Sequence, residues 1–335
     1  MAGGSTKAVY TAIVGNGFLT VVKFGGFFVS GSAALLAEGI HSLADVSNQS
    51  LLALGIHRSA QPANEEHPYG YSQELFIWAL ISAVGIFFLG CGLTVYHGVQ
   101  SLLHPHVVES QWIGLGVLTL SAIVEAWTLY VAWAAVSESA KSLDMSLVQY
   151  VREGPDPMGV AVLLEDAAAE LGVLIALTCL GLSVWTGDPM WDGLGSLLIG
   201  ILLGLIALFL IVRNKNALVG RNISREQHRI ILELLDADDA VEAVHDVKAT
   251  VLGAGSFRFK AELDFDGAVV MKHYLAQLSE EERSRLNQEL GAGDDGTYGE
   301  LGESFVTALG LEIDRIESDI RTLLPEAKHL DLEVH

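Results

Sequence analysis

The chain of 335 residues contains only two cysteines, Cys91 and Cys179, which lie far apart and within apolar segments. Two isolated cysteines exclude a disulfide framework and a CxxC metal site, and we interpret both as small buried apolar residues. Basic residues are also scarce, because 19 Lys and Arg stand against 41 Asp and Glu. A net charge of −22 excludes nucleic acid as a partner, since phosphate binding requires a basic surface.

The sequence also lacks the HExxH pattern and any nucleophile placed beside a base at a useful spacing. Because of this lack, we expect a protein that is not an enzyme, rather than a membrane-embedded metalloenzyme, and we expect no cofactor. Apolar residues are abundant instead and make up 51% of the chain. That share exceeds what a soluble domain of this length needs, so it predicts membrane segments.

Six segments are long and apolar enough to cross the roughly 30 Å hydrocarbon core of a bilayer. They are residues 10–29, 32–56, 75–98, 112–136, 159–185 and 191–213. The turns after spans one, three and five contain no Lys or Arg. The positive-inside rule therefore predicts that both termini are cytoplasmic, or on the matrix side of an organelle. We expect an integral protein of a bacterial inner membrane or of an organelle inner membrane.

Beyond Arg221 the sequence becomes polar and strongly acidic. We predict a transmembrane domain over residues 1–221 and a soluble acidic domain over residues 222–335. The order of elements in the second domain predicts a small α+β sandwich with a ferredoxin-like fold. Its predicted elements are a helix opened by a Ser224–Gln227 capping box, two strands within 242–266, a helix at 272–290, a polar loop at 291–300, a helix at 306–324 and a strand at 329–335.

Ionisable residues occur inside the predicted spans, where each costs at least a few kcal/mol unless it faces a cavity or a partner. They are Lys23, Glu38, His41, Asp45, Glu125, Glu165, Asp166, Glu170 and Asp192. One or two such residues are compatible with a structural role, whereas nine indicate a hydrated path through the membrane. This number also argues against spans that serve only as an anchor.

The spacing of these residues in span two produces a polar stripe. His41 and Asp45 are four residues apart, so they lie one turn apart on the same helix face. Glu38 and Asn48 extend the stripe in both directions. An imidazole and carboxylates from two helices form a tetrahedral site suited to Zn²⁺. The alternative is a set of hydrogen bonds between helices with no ligand.

Span five supplies the carboxylates that face this stripe. Asp166 and Glu170 are four residues apart, whereas Glu165 is turned by about 100° from Asp166. Because such ligands must lose protons to bind metal and regain them to release it, the site would couple metal to protons.

The segments GSAALLAEGIHSLADV, ANEEHPYGY and VHDVKA resemble the cation diffusion facilitator family of zinc transporters. VLLEDAAAELGV in span five further resembles the branch that contains the mitochondrial member. The resemblance implies a homodimeric antiporter of divalent metal and protons, embedded in the lipid bilayer, with one transport site per protomer between spans two and five.

The ligands that the resemblance assigns by position are His41, Asp45 and Asp166. Val162 stands where the usual histidine of span five would be, so either water or a neighbouring carboxylate completes the site. We favour Glu165 over Glu170 because it is nearer in sequence, although Glu170 lies on the better face. A missing nitrogen ligand makes the site harder, which would admit Mn²⁺ or Fe²⁺ besides Zn²⁺.

His67 corresponds to a loop zinc site that some bacterial relatives carry. Asn64 and Tyr71 occupy the positions of its other ligands, so we interpret His67 as a histidine in a structural turn while keeping it as a candidate ligand. Glu38 also remains a candidate at the edge of the transport site.

His245 matches a C-terminal position that binds zinc in some relatives. Its partners at the matching positions are Glu262 and Glu333, so the resemblance implies a domain with little or no metal. His335, the final residue, carries little weight in this prediction.

We therefore expect a secondary transporter that moves Zn²⁺ out of the compartment holding the acidic domain, in exchange for protons. The alternative from another class is a membrane-anchored, metal-responsive scaffold that senses ions without transporting them.

Overall fold

The structure is a computed structural model that describes residues 2–30, 33–104, 111–188, 190–253, 255–292 and 295–335. It separates into two compact units, Met1–Val219 and Gly220–His335, which are described in turn.

Among the described residues of the first unit, all the regular elements are helices. Its helices are α1 (Ala2–Ser30), α2 (Ala33–Ser59), α3 (Glu74–Gly85), α4 (Leu93–Leu103), α5 (Gln111–Ser142), α6 (Leu147–Glu153), α7 (Pro157–Thr186) and α8 (Met190–Gly220). A π-helical turn over Ile86–Gly92 joins α3 to α4, so these three pieces make one continuous helical segment. Every predicted span falls on a long helix of this unit.

Within the described residues, four stretches are long and apolar enough to cross a membrane. They are Gly4–Gly26, Glu74–Leu103, Leu115–Ser142 and Gly193–Asp236. Predicted spans two and five fall on α2 and α7, which are outside this set and carry most of the ionisable residues. The chain thus has a helical domain of the membrane type, and the count of six crossing helices stays a prediction.

Helix α1 packs against α2 and α5, and α5 packs against α7. Small residues permit this close approach. A Cβ on Gly15 of α1 would lie 2.7 Å from the Thr128 methyl group of α5, so the two helices meet where a side chain is absent. One buried polar bond also joins α1 to α2, since the Lys23 ammonium donates to the Ser42 hydroxyl at 2.9 Å. These contacts bring α2, α5 and α7 around a common interior.

The second unit combines helices with a three-stranded sheet. Its elements are α9 (Arg225–Asp236), β1 (Val241–Gly253), β2 (Ser256–Phe265), α10 (Gly267–Gln277), α11 (Glu280–Ala292), α12 (Asp295–Leu323) and β3 (Ala327–Val334). The strand order is β1-β2-β3, with β1 antiparallel and β3 parallel to β2. The Ser224–Gln227 capping box at the start of α9 is confirmed.

Alternation along β2 explains how this sheet builds a core. Successive strand residues point to opposite faces, and every second residue of β2 from Phe257 to Leu263 is buried. These residues pack against Ile231 and Leu235 of α9 and Ile316 and Ile320 of α12. A sheet covered by helices agrees with the predicted α+β class, and the ferredoxin-like assignment stays a prediction.

Two predicted boundaries in this unit are wrong. The predicted helix 272–290 is broken, because Ser279 caps α11 by accepting from the Glu282 N–H at 3.2 Å while its own N–H donates to the Glu282 carboxylate. The predicted loop 291–300 is largely helical, since α11 continues to Ala292 and α12 begins at Asp295. The first half of α12 is held by packing of Phe305 and Ala308 against Val270.

Glu312 on α12 is the centre of a polar network in the second unit. Its carboxylate accepts from Arg315 at 2.8 Å and lies 2.8 Å from the His273 ring nitrogen. Arg315 in turn donates to Asp238 before β1 at 2.8 Å. Burial acts to raise the pKa of Glu312, but the hydrogen bonds from Arg315 and His273 outweigh it and hold that pKa below its usual value.

We expect Glu312→Gln to lower the free energy of unfolding of the second unit by about 1–3 kcal/mol at pH 7, because it removes the charge of a buried acceptor that binds two partly exposed donors, Arg315 and His273. A lowered pKa in the folded state gives stability that is present above the unfolded pKa and is lost as the pH falls through the folded pKa. The difference between the two proteins should therefore vanish at low pH.

Hydrogen exchange of the β2 amides in the full chain, measured across a urea series, tests this expectation. Glu233→Gln is the matched control, since Glu233 pairs with Arg229 on α9 and both side chains are more than half exposed, and such pairs contribute about 0–1 kcal/mol. Equal losses in the two variants, or a difference that does not shrink as the pH is lowered, would contradict the role of Glu312.

Candidate metal centre

Helix α2 places His41 and Asp45 on one face, as their spacing predicts. The His41 Nε2 atom lies 3.7 Å from the Asp45 Oδ2 atom, and each side chain is about 30% exposed. A helix that holds two such side chains one turn apart allows both to contact the same ion.

Helix α7 carries the other two predicted ligands, Glu165 and Asp166. Asp166 is buried, and its carboxyl lies close to the Thr128 hydroxyl of α5 and within the electrostatic field of Asp45. Glu165 interacts electrostatically with both Asp45 and Asp166 and lies near the Ser82 hydroxyl of α3. The structure therefore brings a carboxylate of α2 together with two neighbouring carboxylates of α7.

Two oxygens of this cluster are buried without a hydrogen-bond partner among the described residues. They are Oε1 of Glu165 and Oδ2 of Asp166. An unsatisfied buried carboxylate oxygen is costly unless a cation or a proton neutralises it. The chemistry of the cluster thus suits a divalent cation.

The four predicted ligands are nevertheless spread apart. Within the described chain, no three of His41, Asp45, Glu165 and Asp166 have ligand atoms that all lie within 4.8 Å of one another. The side chains share an interior region, and binding an ion between them requires a movement of the side chains or of α2 against α7.

The other candidates of the membrane unit have different surroundings. Glu170 has one buried oxygen without a partner among the described residues, and its environment is dominated by burial rather than by the charge of Asp45. Glu38 lies on α2, but its side chain is outside the described part of the structure, as is that of Asp192. Val162 is fully buried at the position of the missing histidine.

His67 lies in an exposed turn that its neighbours organise. Its N–H donates to the Asn64 side chain at 2.7 Å, and its ring lies 4.4 Å from the ring of Tyr71 between centroids. The Asn64 amide donates to the Tyr71 hydroxyl at 2.9 Å. The residues at the positions of the missing ligands thus shape the turn around His67.

In the second unit, His245 approaches partners other than those expected. Its Nε2 atom lies 3.0 Å from one oxygen of Asp264, and the other oxygen lies 3.1 Å from Nδ1 of His335. These three residues form a group whose ligand atoms lie within 4.8 Å of one another. The expected partner Glu333 is instead paired with Lys260 at 2.7 Å.

The sequence analysis did not identify Asp264, Thr128 or Ser82 as neighbours of these candidate ligands. Asp264 lies two residues beyond Glu262, which is directly opposite His245 in the β1–β2 register, so it is the diagonal neighbour on the same face. The signal was therefore present in the strand alternation. Thr128 is three residues after Glu125 and carried a helical spacing signal, whereas Ser82 stands alone in an apolar helix.

The sequence of the chain matches a known family of membrane proteins. Residues 9–219 match the family model described as the cation efflux transmembrane domain. The chain is 46% identical to the human "Proton-coupled zinc antiporter SLC30A9, mitochondrial" over 333 residues. These aligned residues make up 99% of this chain and 59% of that protein. The chain therefore spans about three-fifths of the length of that relative.

Similarity extends to plant and bacterial proteins. The chain is 41% identical over 336 residues to metal tolerance protein C4 of Arabidopsis thaliana, covering 99% of this chain and 74% of that protein. It is 25% identical over 280 residues to the cation-efflux pump FieF of Klebsiella pneumoniae, covering 82% of this chain and 87% of that protein.

Proposed function

Because the chain belongs to the cation efflux family, whose named relatives are transporters and not enzymes, we propose that it is a secondary transporter that exchanges a divalent metal for protons. Zn²⁺ is the proposed substrate, in keeping with the printed name of the human relative. The chain is an integral membrane protein, given its family and its four long apolar helices.

The observation that carries this proposal is that α7, which lies beside α2, holds two buried carboxylate oxygens without a hydrogen-bond partner among the described residues, Oε1 of Glu165 and Oδ2 of Asp166, in the neighbourhood of Asp45. Three carboxylates that share a low-dielectric region repel one another unless positive charge is supplied. Either a divalent cation or protons can supply it, and one excludes the other. Such mutually exclusive occupancy is the physical requirement for exchange.

The donor set influences which metal is carried. One imidazole from His41 and up to three carboxylates give an oxygen-rich site, because Val162 offers no ligand. Oxygen ligands suit harder ions, whereas imidazole suits Zn²⁺. We propose that Zn²⁺ is the main substrate and that Mn²⁺ or Fe²⁺ competes more effectively than at a site with two imidazoles.

The Lys and Arg content of the loops between spans indicates the orientation of the chain in the membrane. We propose that both termini and the acidic unit lie on the cytoplasmic or matrix side, and that metal is exported from that side in exchange for entering protons. It also includes assembly as a homodimer, in which each protomer carries its own transport site. The membrane would be a bacterial inner membrane or an organelle inner membrane.

A metal-competition assay on purified protein in proteoliposomes tests the function. Zn²⁺ flux should appear only when the protein is present. It should increase when protons are more concentrated on the side toward which Zn²⁺ moves, and it should be reduced by Mn²⁺ or Fe²⁺. Folded protein that produces no flux under either gradient would contradict transport and favour the alternative of a metal-responsive scaffold.

We further propose that His245, Asp264 and His335 bind a divalent cation in the second unit. Two imidazoles and a carboxylate are ligands of the type that Zn²⁺ prefers. We expect Asp264→Asn to weaken Zn²⁺ binding to this unit by about 10- to 100-fold, the scale reported for altered metal surroundings.

Glu262→Gln is the control, because Glu262 is the partner implied by sequence position. Calorimetry should use the full chain carrying Asp45→Ala, so that the transport site contributes little binding. Retained affinity in Asp264→Asn, or an equal loss in Glu262→Gln, would contradict this ligand set.

A further inference from the structure

The beginning of α7 is fastened to another helix through Asp156. This residue caps α7, since its Oδ1 atom accepts from the N–H groups of Met158 at 3.1 Å and Gly159 at 3.0 Å. Its second oxygen accepts a hydrogen bond from the Ser5 hydroxyl of α1, and this bond is buried. Asp156 therefore performs two tasks, one within α7 and one between helices.

A third helix holds the same segment. The Arg213 guanidinium of α8 donates to the Gly154 carbonyl at 2.8 Å and to the Asp156 carbonyl at 3.3 Å. Arg213 is only 8% exposed, although the predicted sixth span ends at this residue. Helix α8 continues beyond it to Gly220, and the carbonyls before α7 accept hydrogen bonds from the buried guanidinium. We call Ser5, Asp156 and Arg213 the α7 anchor.

The anchor is closely packed around a glycine. A Cβ on Gly159 would lie 2.5 Å from Oδ2 of Asp156 and 3.0 Å from the Ser5 hydroxyl oxygen. Real Cβ atoms do not approach this closely, so an alanine would force Ser5 and Asp156 apart. The glycine is thus required by the contact between α1 and α7 rather than by the conformation of the helix.

A second copy of the same tripeptide shows what capping alone requires. Asp156, Pro157 and Met158 precede and open α7, and the sequence Asp-Pro-Met recurs at 188–190 before α8. Asp188 is exposed and accepts from the Met190 N–H at 2.9 Å. Among the described residues, its hydrogen bonds are with its own chain neighbours. Burial and bonds to two other helices are therefore additional to capping.

We propose that the α7 anchor is a positioning device for the transport site, an inference that rests on the proposed function. Asp156 precedes Glu165 and Asp166 by nine and ten residues, which is about 14 Å along a helix that rises 1.5 Å per residue. Fixing one end of such a rod sets both its axial position and its rotation. A rotation of 20° moves a side chain at a radius of about 5 Å by roughly 2 Å.

A displacement of this size alters how the α7 carboxylates face Asp45. Functional constellations tolerate errors of about 0.5 Å, and misplacement by about 1 Å can cost on the order of 100-fold in a reaction. The anchor thus acts on the metal through α7, without touching it. Its loss should change apparent metal affinity more than protein stability.

The test compares Asp156→Ala with Asp188→Ala in Zn²⁺ transport by reconstituted full-length protein. Both substitutions remove a side chain that accepts from the first N–H groups of a helix, so both should lower stability to a similar extent. We expect Asp156→Ala to raise the half-saturating Zn²⁺ concentration about tenfold, while Asp188→Ala changes it by less than about twofold. Asp156→Asn, which keeps a capping oxygen, should restore part of the affinity.

Gly159→Ala keeps the Asp156 carboxylate and favours the helix, yet its Cβ should displace that carboxylate from Ser5 and thereby weaken Zn²⁺ affinity. It decides the case if Asp156→Ala does not fold. Equal half-saturation in Asp156→Ala and Asp188→Ala, or wild-type affinity in Gly159→Ala, would overturn the anchor alone. An inactive but folded wild-type protein would overturn the proposed function and the positioning role together.

Discussion

Zn²⁺ uptake into proteoliposomes is expected to be lost, by at least about 100-fold, when either Asp45 or Asp166 is replaced by alanine. Each substitution removes a charged oxygen ligand from one helix of the proposed site, so the remaining groups come from too few positions to hold the ion. Changes that only disturb the surroundings of a metal already cost 10- to 100-fold. Removal of a ligand should therefore cost at least as much.

The measurement is initial Zn²⁺ flux at matched protein amounts, together with size-exclusion chromatography to show that the variants keep the wild-type oligomeric state and fold. Ser50→Ala on α2 is a suitable control, because Ser50 is exposed and its hydroxyl bonds the Val46 carbonyl of its own helix. Full transport by both aspartate variants would contradict a transport site formed by α2 and α7.

Glu165→Gln is expected to reduce Zn²⁺ transport by about 10- to 100-fold, whereas Glu170→Gln should change it by no more than about twofold. The two residues have the same type of side chain on the same helix. Both have a buried oxygen without a hydrogen-bond partner among the described residues, but only Glu165 interacts electrostatically with Asp45 and Asp166.

The assay should record both flux and the protons released per metal ion, because a glutamine keeps the size of the side chain but cannot exchange a proton. Dependence on the pH gradient should weaken in Glu165→Gln and persist in Glu170→Gln. The reverse ranking of the two variants would assign the fourth position to Glu170, which lies on the same predicted face as Asp166.

The α2 half of the site was predictable because helical periodicity alone puts residues four apart on one face. The same rule failed to rank the α7 carboxylates. It placed Glu165 about 100° away from Asp166, yet both interact with Asp45. The reason is tertiary: α7 packs beside α3 and α5 as well as near α2, so more than one of its faces lines the interior. Periodicity describes one helix and does not say how many neighbours surround it.

The second unit shows a similar division. Alternating apolar residues predicted β1 and β2, and the capping box predicted the start of α9. The break at Ser279 had a recognisable capping pattern with Glu282, which the continuous helical composition of the segment obscured. The cluster of His245 with Asp264 and His335 depends on a diagonal contact and on the position of the final residue beside β2, where the His335 N–H donates to the Leu263 carbonyl at 3.0 Å. Strand register sets both relations.

The π-helical turn at Ile86–Gly92 changes the directions in which the two halves of the apolar segment Glu74–Leu103 present their side chains. An added residue turns the remainder of a helix by about 100° relative to its beginning. Helix α3 buries Ser82 beside Glu165, whereas α4 meets α8 at Gly98, where a Cβ would lie 2.8 Å from the Leu197 backbone nitrogen. One continuous helical segment therefore contacts two different neighbours, the α7 carboxylate Glu165 through its first half and α8 through its second half.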